Sequence, residues 1–433
     1  MHSLKHKVIR GAFWSIGSNV VSQVLRLGGN LILTRLLFPD AFGLLALVQA
    51  FIVGVAMFAD LGINASIIQN KRDDAEFLNT AWTLQVIRGG VLWLLVCIIS
   101  WPVSLFYEEN ILMPLLIVSG FSSVILGFQS TKLILANRKV ELKKIAITEI
   151  TTATVGLSSM VIGVWLTQSV WGLVIGGLVQ PLVIVFMSFT YFKGDNNSFH
   201  WDSDAFKSIY KYGRWLVLSS MITFLANQGD RLIIGRVFDV EFLGIYGIAI
   251  ALVSAVYILS QKIGSAVFFP SYSTIIRDRP SDLYAAVRKA RLAQVALLWP
   301  AAITFIFGGQ EIVGFLYDDR YSDAGWMLEI LSLGILIGVL RMSYSGLLMA
   351  LGRTGVYTTL LFVQTMVTIL CLLIGAHLGG QEGVIIGMAL VSVVLYPIDS
   401  FAFSKFSLWQ PELDIPVIAM SIIVFIMFLK FSL

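Results

Sequence analysis

Stretches of about twenty apolar residues recur along almost the whole chain, joined by short polar links, and no other feature restricts the fold as tightly. A helix needs roughly 20 residues to cross about 30 Å of hydrocarbon. Apolar segments of that kind fall at 12–37, 41–68, 78–104, 111–136, 145–166, 170–192, 214–238, 242–269, 284–308, 324–350, 355–377, 383–404 and 415–431, thirteen in all. Of the 433 residues, 57% are hydrophobic and only 13% are charged, against about 25% charged in a soluble domain. A surface so poor in charge must face lipid, so the sequence predicts an all-α integral membrane protein. The opening MHSLKHKVIRGAFW is basic and then apolar, like a signal peptide. Its apolar stretch runs from Gly11 to Leu37 with no small-residue cleavage site after it, so it reads as a retained first span.

Several function classes drop out at once. The net charge is only +4, and no nucleic-acid module is recognisable. Cys97 and Cys371 lie inside apolar runs, and His2, His6, His200 and His377 are scattered without ligand spacing, so neither a disulfide framework nor a metal site is expected. No glycine-rich nucleotide loop occurs, which argues against direct ATP drive. No cofactor is expected.

Loop charge orients the spans, because Lys and Arg collect on the cytoplasmic side. With the N-terminus inside, 20 Lys and Arg fall on inner segments, from Lys5 to Lys405 and including Arg288, Lys289 and Arg291; the outer side holds only Arg35, Arg236, Arg320 and Lys430. Outer links are acidic instead, as at Glu108-Glu109 and Asp318-Asp319. The expected location is a bacterial inner membrane, multi-pass, with a cytoplasmic N-terminus. The last segment decides the C-terminal side: outside if 415–431 crosses, inside if it lies in the interface.

The chain repeats itself. Residues 34–46 (TRLLFPDAFGLLA) align without gaps on 235–247 (GRVFDVEFLGIYG) at an offset of 201, pairing Arg35 with Arg236, Asp40 with Glu241 and Gly43 with Gly244. Gly172 to Gly176 is echoed by Gly383 to Gly387, and Ala136-Asn137-Arg138 by Leu351-Gly352-Arg353. The expected organisation is an N-terminal lobe over 1–192 (spans 1–6), a cytoplasmic inter-lobe loop over 193–213, a C-terminal lobe over 214–406 (spans 7–12) and an additional span over 407–433. Six spans is an even number, so both lobes enter the membrane in the same direction. That implies two six-helix bundles related by a pseudo-two-fold axis along the membrane normal, with a substrate site between them.

Ten charged residues are read as embedded in the spans: Arg26, Arg88, Lys132, Arg231, Lys262 and Arg341, with Asp60, Asp230, Glu329 and Asp399. Facing lipid, they would cost roughly 25–35 kcal/mol together, so most must face water or one another. In the first span Ser15, Asn19, Ser22, Arg26 and Asn30 share one helix face. At the 201-residue offset, Ser220, Thr223, Asn227 and Arg231 match Asn19, Ser22, Arg26 and Asn30. Two such stripes would line a hydrophilic lumen of positive tendency. Arg26, Arg88, Arg231 and Arg341 lie deepest and are the candidate anion-binding residues, since a guanidinium donates two parallel hydrogen bonds to a phosphate and stays charged. Lys132 and Lys262 sit near inner helix ends, where long side chains snorkel to the interface. Asp60 could pair with Arg88, and Asp230 with its neighbour Arg231. Asp60, Asp230 and Asp399 are the candidate coupling carboxylates. Most aromatic residues read as an interfacial belt, with Trp14, Trp82 and Tyr344 near enough to polar positions to stack on sugar rings.

The run Arg35 to Gly43 (RLLFPDAFG), followed by Phe58 to Gly62 (FADLG), Ile67-Ile-Gln69 and the opening Gly11-Ala-Phe-Trp14, resembles the first two helices of Wzx-type polysaccharide and O-antigen flippases. These form the polysaccharide transporter branch of the multidrug/oligosaccharidyl-lipid/polysaccharide (MOP) superfamily, whose fold is that of the MATE transporters. Phe38 stands where a glycine is common, and a single thirteenth span replaces the usual none or two. The resemblance implies a flippase, not an enzyme. Its cargo would be an undecaprenyl-pyrophosphate-linked oligosaccharide, carried from the cytoplasmic to the outer face by alternating access, for O-antigen, capsule or exopolysaccharide synthesis. It also implies membrane lipids as partners, and a polysaccharide polymerase and chain-length regulator. A lipid II flippase shares the same fold and charge logic. A multidrug/cation antiporter should show an acidic lumen, whereas here six cations outnumber four acids. A membrane polysaccharide polymerase should carry a sizeable outer loop, and the longest one here, 308–323, is short.

Overall fold

Each predicted apolar segment falls on a helix. The computed structural model describes residues 2–58, 62–69, 72, 74–213 and 216–432, and among them every regular element is helical. The chain divides into two units, Met1–Phe224 and Leu225–Leu433. In order along the first run α1 (His2–Leu36), α2 (Pro39–Phe58), α3 (Ile63–Gln69), α4 (Ala75–Tyr107), α5 (Leu112–Gly127), α6 (Thr131–Arg138), α7 (Leu142–Thr167), α8 (Val170–Thr190) and α9 (Ser203–Gly213). Helix α10 (Leu216–Val237) crosses the division, and α11 (Val240–Ile263), α12 (Phe269–Asp278), α13 (Leu283–Leu316), α14 (Ala324–Ala350), α15 (Thr354–Ser404) and α16 (Pro411–Ser432) follow.

Nine of these helices are long and apolar enough to cross a membrane, or ten if the bent pair α5 and α6 is one span. Two physical causes account for the other three expected segments. Helix α15 runs 51 residues but breaks at Gly379 and Gly380 (φ 58°, ψ −132°), a left-handed conformation that glycine adopts without penalty, so it is two spans in hairpin. Helices α1 and α10 miss the apolarity test because their polar stripes lower it. They are the lead helices of the two repeats.

The repeat is visible in the helix boundaries. Helix α1 ends at Leu36 and α10 at Val237, while α2 begins at Pro39 and α11 at Val240, so both boundaries recur at the 201-residue offset. The order of packing recurs too: α4 on α5, α7 on α8 and α2 on α5 in the first unit; α13 on α14, the two arms of α15 on each other, and α11 on α14 in the second. In each unit a shorter helix follows: α3 begins at Ile63 in the first, and in the second a π-helical segment, Gly264–Phe268, precedes α12.

Glycine sets the closest of these approaches. A β-carbon at Gly172 would lie 2.5 Å from the Gly163 carbonyl carbon, and one at Gly176 would lie 2.6 Å from the Met160 α-carbon. The matching positions behave alike: Gly383 meets the backbone of Gly375, and Gly387 that of Cys371. Small residues that let backbones touch are a standard device of membrane helix pairs, where lipid offers no hydrophobic drive to association.

The segment after α8 departs from expectation. It is a polar link in the sequence, yet it lies as an extended strap across the first unit. The Ser198, His200 and Asp202 amides donate to Asn79 Oδ1 (3.1 Å), Thr83 Oγ1 (3.0 Å) and Thr80 Oγ1 (2.9 Å). Asn197 accepts from the Ser130 hydroxyl at 2.8 Å and donates to Thr131 Oγ1 at 2.8 Å. Helix α9 then buries Ala205 and Ile209 among Ile63, Ile67, Phe77, Ala81, Leu84 and Ile134. At the start of α4, Asp74 caps the helix by accepting from the Phe77 amide at 3.0 Å, and Arg72 grips the same carboxylate at 2.9 Å.

Two outcomes are expected. Gly172→Ala and Gly383→Ala should each destabilise the detergent-solubilised protein by about 1–3 kcal/mol through overpacking, whereas Gly314→Ala, which meets nothing within 4 Å, should not; thermal unfolding measures this. The Arg72 hydrogen bond pulls the Asp74 carboxyl down from its ordinary 3.8 to about 2. A depressed carboxylate stabilises the fold above its unfolded pKa and loses that contribution as pH falls through the folded one. The stability gap between the wild type and Asp74→Ala, about 1 kcal/mol for a lost cap at neutral pH, should therefore close as pH falls from about 4 towards 2.

Candidate functional site

Polar side chains within the apolar helices form the site, and their partners decide what each can do. On α1, Asn19, Ser22 and Asn30 are half-buried and Arg26 is exposed. Asp60 lies outside the described residues, and so does the Asp60–Arg88 pair; the side chain of Ser15 is likewise not described. Ser18, one position off the stripe, is buried and donates to Glu149 Oε2 on α7 at 2.9 Å. Glu149 is an embedded acid that pattern reading passed over, although the 145–166 span contains it.

The equivalent stripe on α10 has Ser220 and Thr223 half-buried, Asn227 exposed and Arg231 half-buried. Arg231 donates to Gln228 Oε1 at 3.2 Å, one turn back. Its neighbour Asp230 turns elsewhere and accepts from the buried Tyr246 hydroxyl at 2.7 Å. The expected Asp230–Arg231 pair is therefore replaced by a bond from α10 to α11. Among the described residues, neither Arg26 nor Arg231 has a carboxylate within 4 Å.

The other two candidate arginines are engaged. Arg88 donates to the Ala56 carbonyl at 2.9 Å, tying α4 to α2. Arg341 on α14 forms an ion pair with Asp399 on the second arm of α15, and its guanidinium also reaches Gln364 Oε1 at 3.5 Å. Side chains placed in separate roles by the sequence, anion ligand and coupling carboxylate, are partners of one another here. Both are largely shielded, at 14% and 8% side-chain exposure.

The most heavily buried cation among the described residues is one that the loop-charge pattern assigns to the inner segments. Arg291 sits inside α13 at 1% exposure and pairs with the fully buried Asp414 of α16 at 2.6 Å. The Leu340 carbonyl accepts from Arg291 at 3.2 Å, the Tyr396 hydroxyl donates to Asp414 at 2.9 Å, and the guanidinium lies 4.7 Å over the Tyr344 ring. A signal existed in the sequence: Val287, Ala290, Arg291, Gln294 and Leu298 recur at helical spacing, and all are buried, while Arg288 and Lys289 are exposed. The pair also fixes the last helix: α16 packs on α13 and α14 as part of the second unit.

Other residues move between roles. Lys132 is only 7% exposed, and its ammonium donates to Asn196 Oδ1 at 2.8 Å. Lys262 is exposed. Trp82 is buried against Phe128 and Phe199, and Tyr344 is stacked on Phe403 at 3.7 Å. Both are core residues and not platforms for a sugar. Glu329 accepts from the Gln310 amide at 3.1 Å.

With this arrangement described, comparison with known proteins decides the family. Residues 32–325 match the family model described as polysaccharide biosynthesis protein. The chain belongs to that family. It is 24% identical to the lipopolysaccharide biosynthesis protein WzxC of Escherichia coli (strain K12) over 97% of this chain and 88% of that protein. Among solved structures it is similar to the lipid II flippase MurJ in an inward closed conformation, with a TM-score of 0.74 at 13% identity over 96% of this chain and 92% of that one. It is also similar to an inward-facing multidrug resistance MATE transporter of the MOP superfamily, with a TM-score of 0.71 at 12% identity over 92% and 98%. These likenesses establish the MOP fold for this member of the polysaccharide biosynthesis family.

Removing one partner of a buried pair strands the other charge, at a cost of about 3–5 kcal/mol. Asp414→Leu should therefore sharply lower the thermal stability of the solubilised protein. The double variant Arg291→Met with Asp414→Leu should recover most of that loss.

Proposed function

We propose that this protein is a flippase that carries undecaprenyl-pyrophosphate-linked oligosaccharide from the cytoplasmic to the outer face of a bacterial inner membrane, by alternating access, for surface polysaccharide synthesis. Family membership and the MOP fold support the class. The observation that carries the cargo's chemistry is the difference between the arginines. Arg341 and Arg291 are neutralised internally, whereas Arg26 and Arg231, one on each lead helix, have no carboxylate within 4 Å among the described residues. An uncompensated guanidinium inside an apolar helix is costly, and a diphosphate in transit supplies the missing anion through charge-assisted, bidentate hydrogen bonds. The hydroxyl and amide groups of Asn19, Ser22, Asn30, Ser220, Thr223 and Asn227 suit glycan hydroxyls. The lobes 1–192 and 214–406 would be the moving bodies.

The same charge balance disfavours a carrier of cationic drugs. Asp399 is paired with Arg341 and so offers no free negative site to a cation, and the Tyr246 hydroxyl ties Asp230 to α11.

The test is complementation. In a strain lacking its own flippase, expression of this chain should restore surface polysaccharide. Arg26→Ala combined with Arg231→Ala should reduce that rescue by at least about a hundredfold, as expected when two charge-assisted contacts are lost, with normal membrane insertion. Full export by the double variant would remove the anion-binding role. An Arg→Lys pair should recover only part of the activity, because an ammonium cannot make the bidentate contact.

A further inference from the structure

A cavity of about 220 Å³ opens in the first unit, on the face that the charge bias assigns to the cytoplasm. Its walls come from the start of α4, from α6 and from the strap that follows α8. Three lysines line it: Lys132 and Lys139 from α6 and its end, and Lys193 from the strap. Lys132 is the informative one. It is more than nine-tenths buried, and among the described residues its ammonium meets no carboxylate within 4 Å. Its contacts are Asn196 Oδ1 at 2.8 Å and, more weakly, the Phe189 carbonyl at 3.5 Å. An ammonium carries three donors, so one remains to be used.

The neighbouring acids, Glu141 and Asp195, leave the lining positive against its three lysines. Glu141 is taken by Lys144 at 2.5 Å, and Asp195, which is exposed, pairs with none of the three lysines. Lys139 and Lys193 are likewise exposed and without an ion pair among the described residues. Asn196 spends its carbonyl on Lys132, which leaves its amide hydrogens for a further acceptor. Apolar side chains of Leu78, Leu135 and Phe192 line part of the wall, beside the polar Asn79, Thr131 and Asn197. A buried cation that lacks a counter-charge is strongly penalised; that applies to Lys132, while the exposed Lys139 and Lys193 add positive charge at the opening.

We propose that this cavity is a phosphoanion site, in which Lys132, Lys139 and Lys193 receive the phosphoryl group of an anionic lipid headgroup or of a soluble phosphate. Basic pockets at the cytoplasmic ends of membrane helices suit such headgroups, and the apolar part of the wall beside the lysines would accept the first carbons of a lipid. Occupancy would also brace the strap, because Lys132 and Asn196 join α6 to it. The site is independent of the translocation arginines, which lie on other helices.

The experiment uses the full chain. Native mass spectrometry after release from nanodiscs compares phosphatidylglycerol with phosphatidylcholine, and calorimetric titration with inorganic phosphate covers the soluble source. The wild type should retain phosphatidylglycerol or bind phosphate. Lys132→Met should weaken that binding about tenfold or more, the loss expected for one charge-assisted contact. Lys139→Gln with Lys193→Gln, both exposed positions that leave packing untouched, should weaken it as well if Lys132→Met fails to fold. Lys289→Gln, an exposed lysine of the second unit, should change nothing. Retention of lipid without phosphate binding identifies a headgroup site, and the reverse identifies a soluble ligand. Binding of neither by the wild type, or equal binding by all the variants, would overturn the proposal.

Discussion

Charge in a low-dielectric environment is the constraint on which the rest of this structure depends. Each ionised group taken out of water must be matched by a partner or by a wet surface. The second unit meets that demand twice with buried ion pairs, Arg291 with Asp414 and Arg341 with Asp399. The first meets it with hydrogen bonds, from Ser18 to Glu149 and from Arg88 to a backbone carbonyl. These contacts join helices that apolar packing alone would leave free to slide, because lipid competes equally well for apolar side chains. Arg26 and Arg231 stand outside this matching, and that exception gives the functional reading its content.

The repeat gives both halves the same means of holding together. Glycine pairs bring α7 against α8 and the two arms of α15 against each other, at positions already related in sequence. Polar stripes on α1 and α10 lower the apolarity of those two helices below that of the rest.

Much of the architecture was legible in the sequence. Span length fixes the helices, and the offset of 201 residues places the ends of α1 and α10 and the starts of α2 and α11 in register. The site was less legible, because a charge within a span shows its cost and not its partner. Arg341 read as an anion ligand, and only three-dimensional proximity reveals Asp399 beside it. Asp230 read as the partner of its chain neighbour, but successive residues point to different faces of a helix, and Tyr246 takes it. Arg291 was misplaced because the Arg288, Lys289, Arg291 cluster looks like a loop signal, although helical spacing puts Arg291 on the buried face. The inter-lobe segment read as a polar link, since nothing in its composition announces hydrogen bonds to Asn79, Thr80 and Thr83.

The claim that Arg26 and Arg231 set a positive potential along a hydrated path is open to direct measurement. In a chain freed of Cys97 and Cys371, cysteines placed at Asn30 and Asn227 would be labelled in membranes with thiosulfonate reagents of equal size and opposite charge. The anionic reagent should label faster, and that preference should be lost after Arg26→Ala and Arg231→Ala. Faster labelling by the cationic reagent, or no labelling at either position, would contradict it.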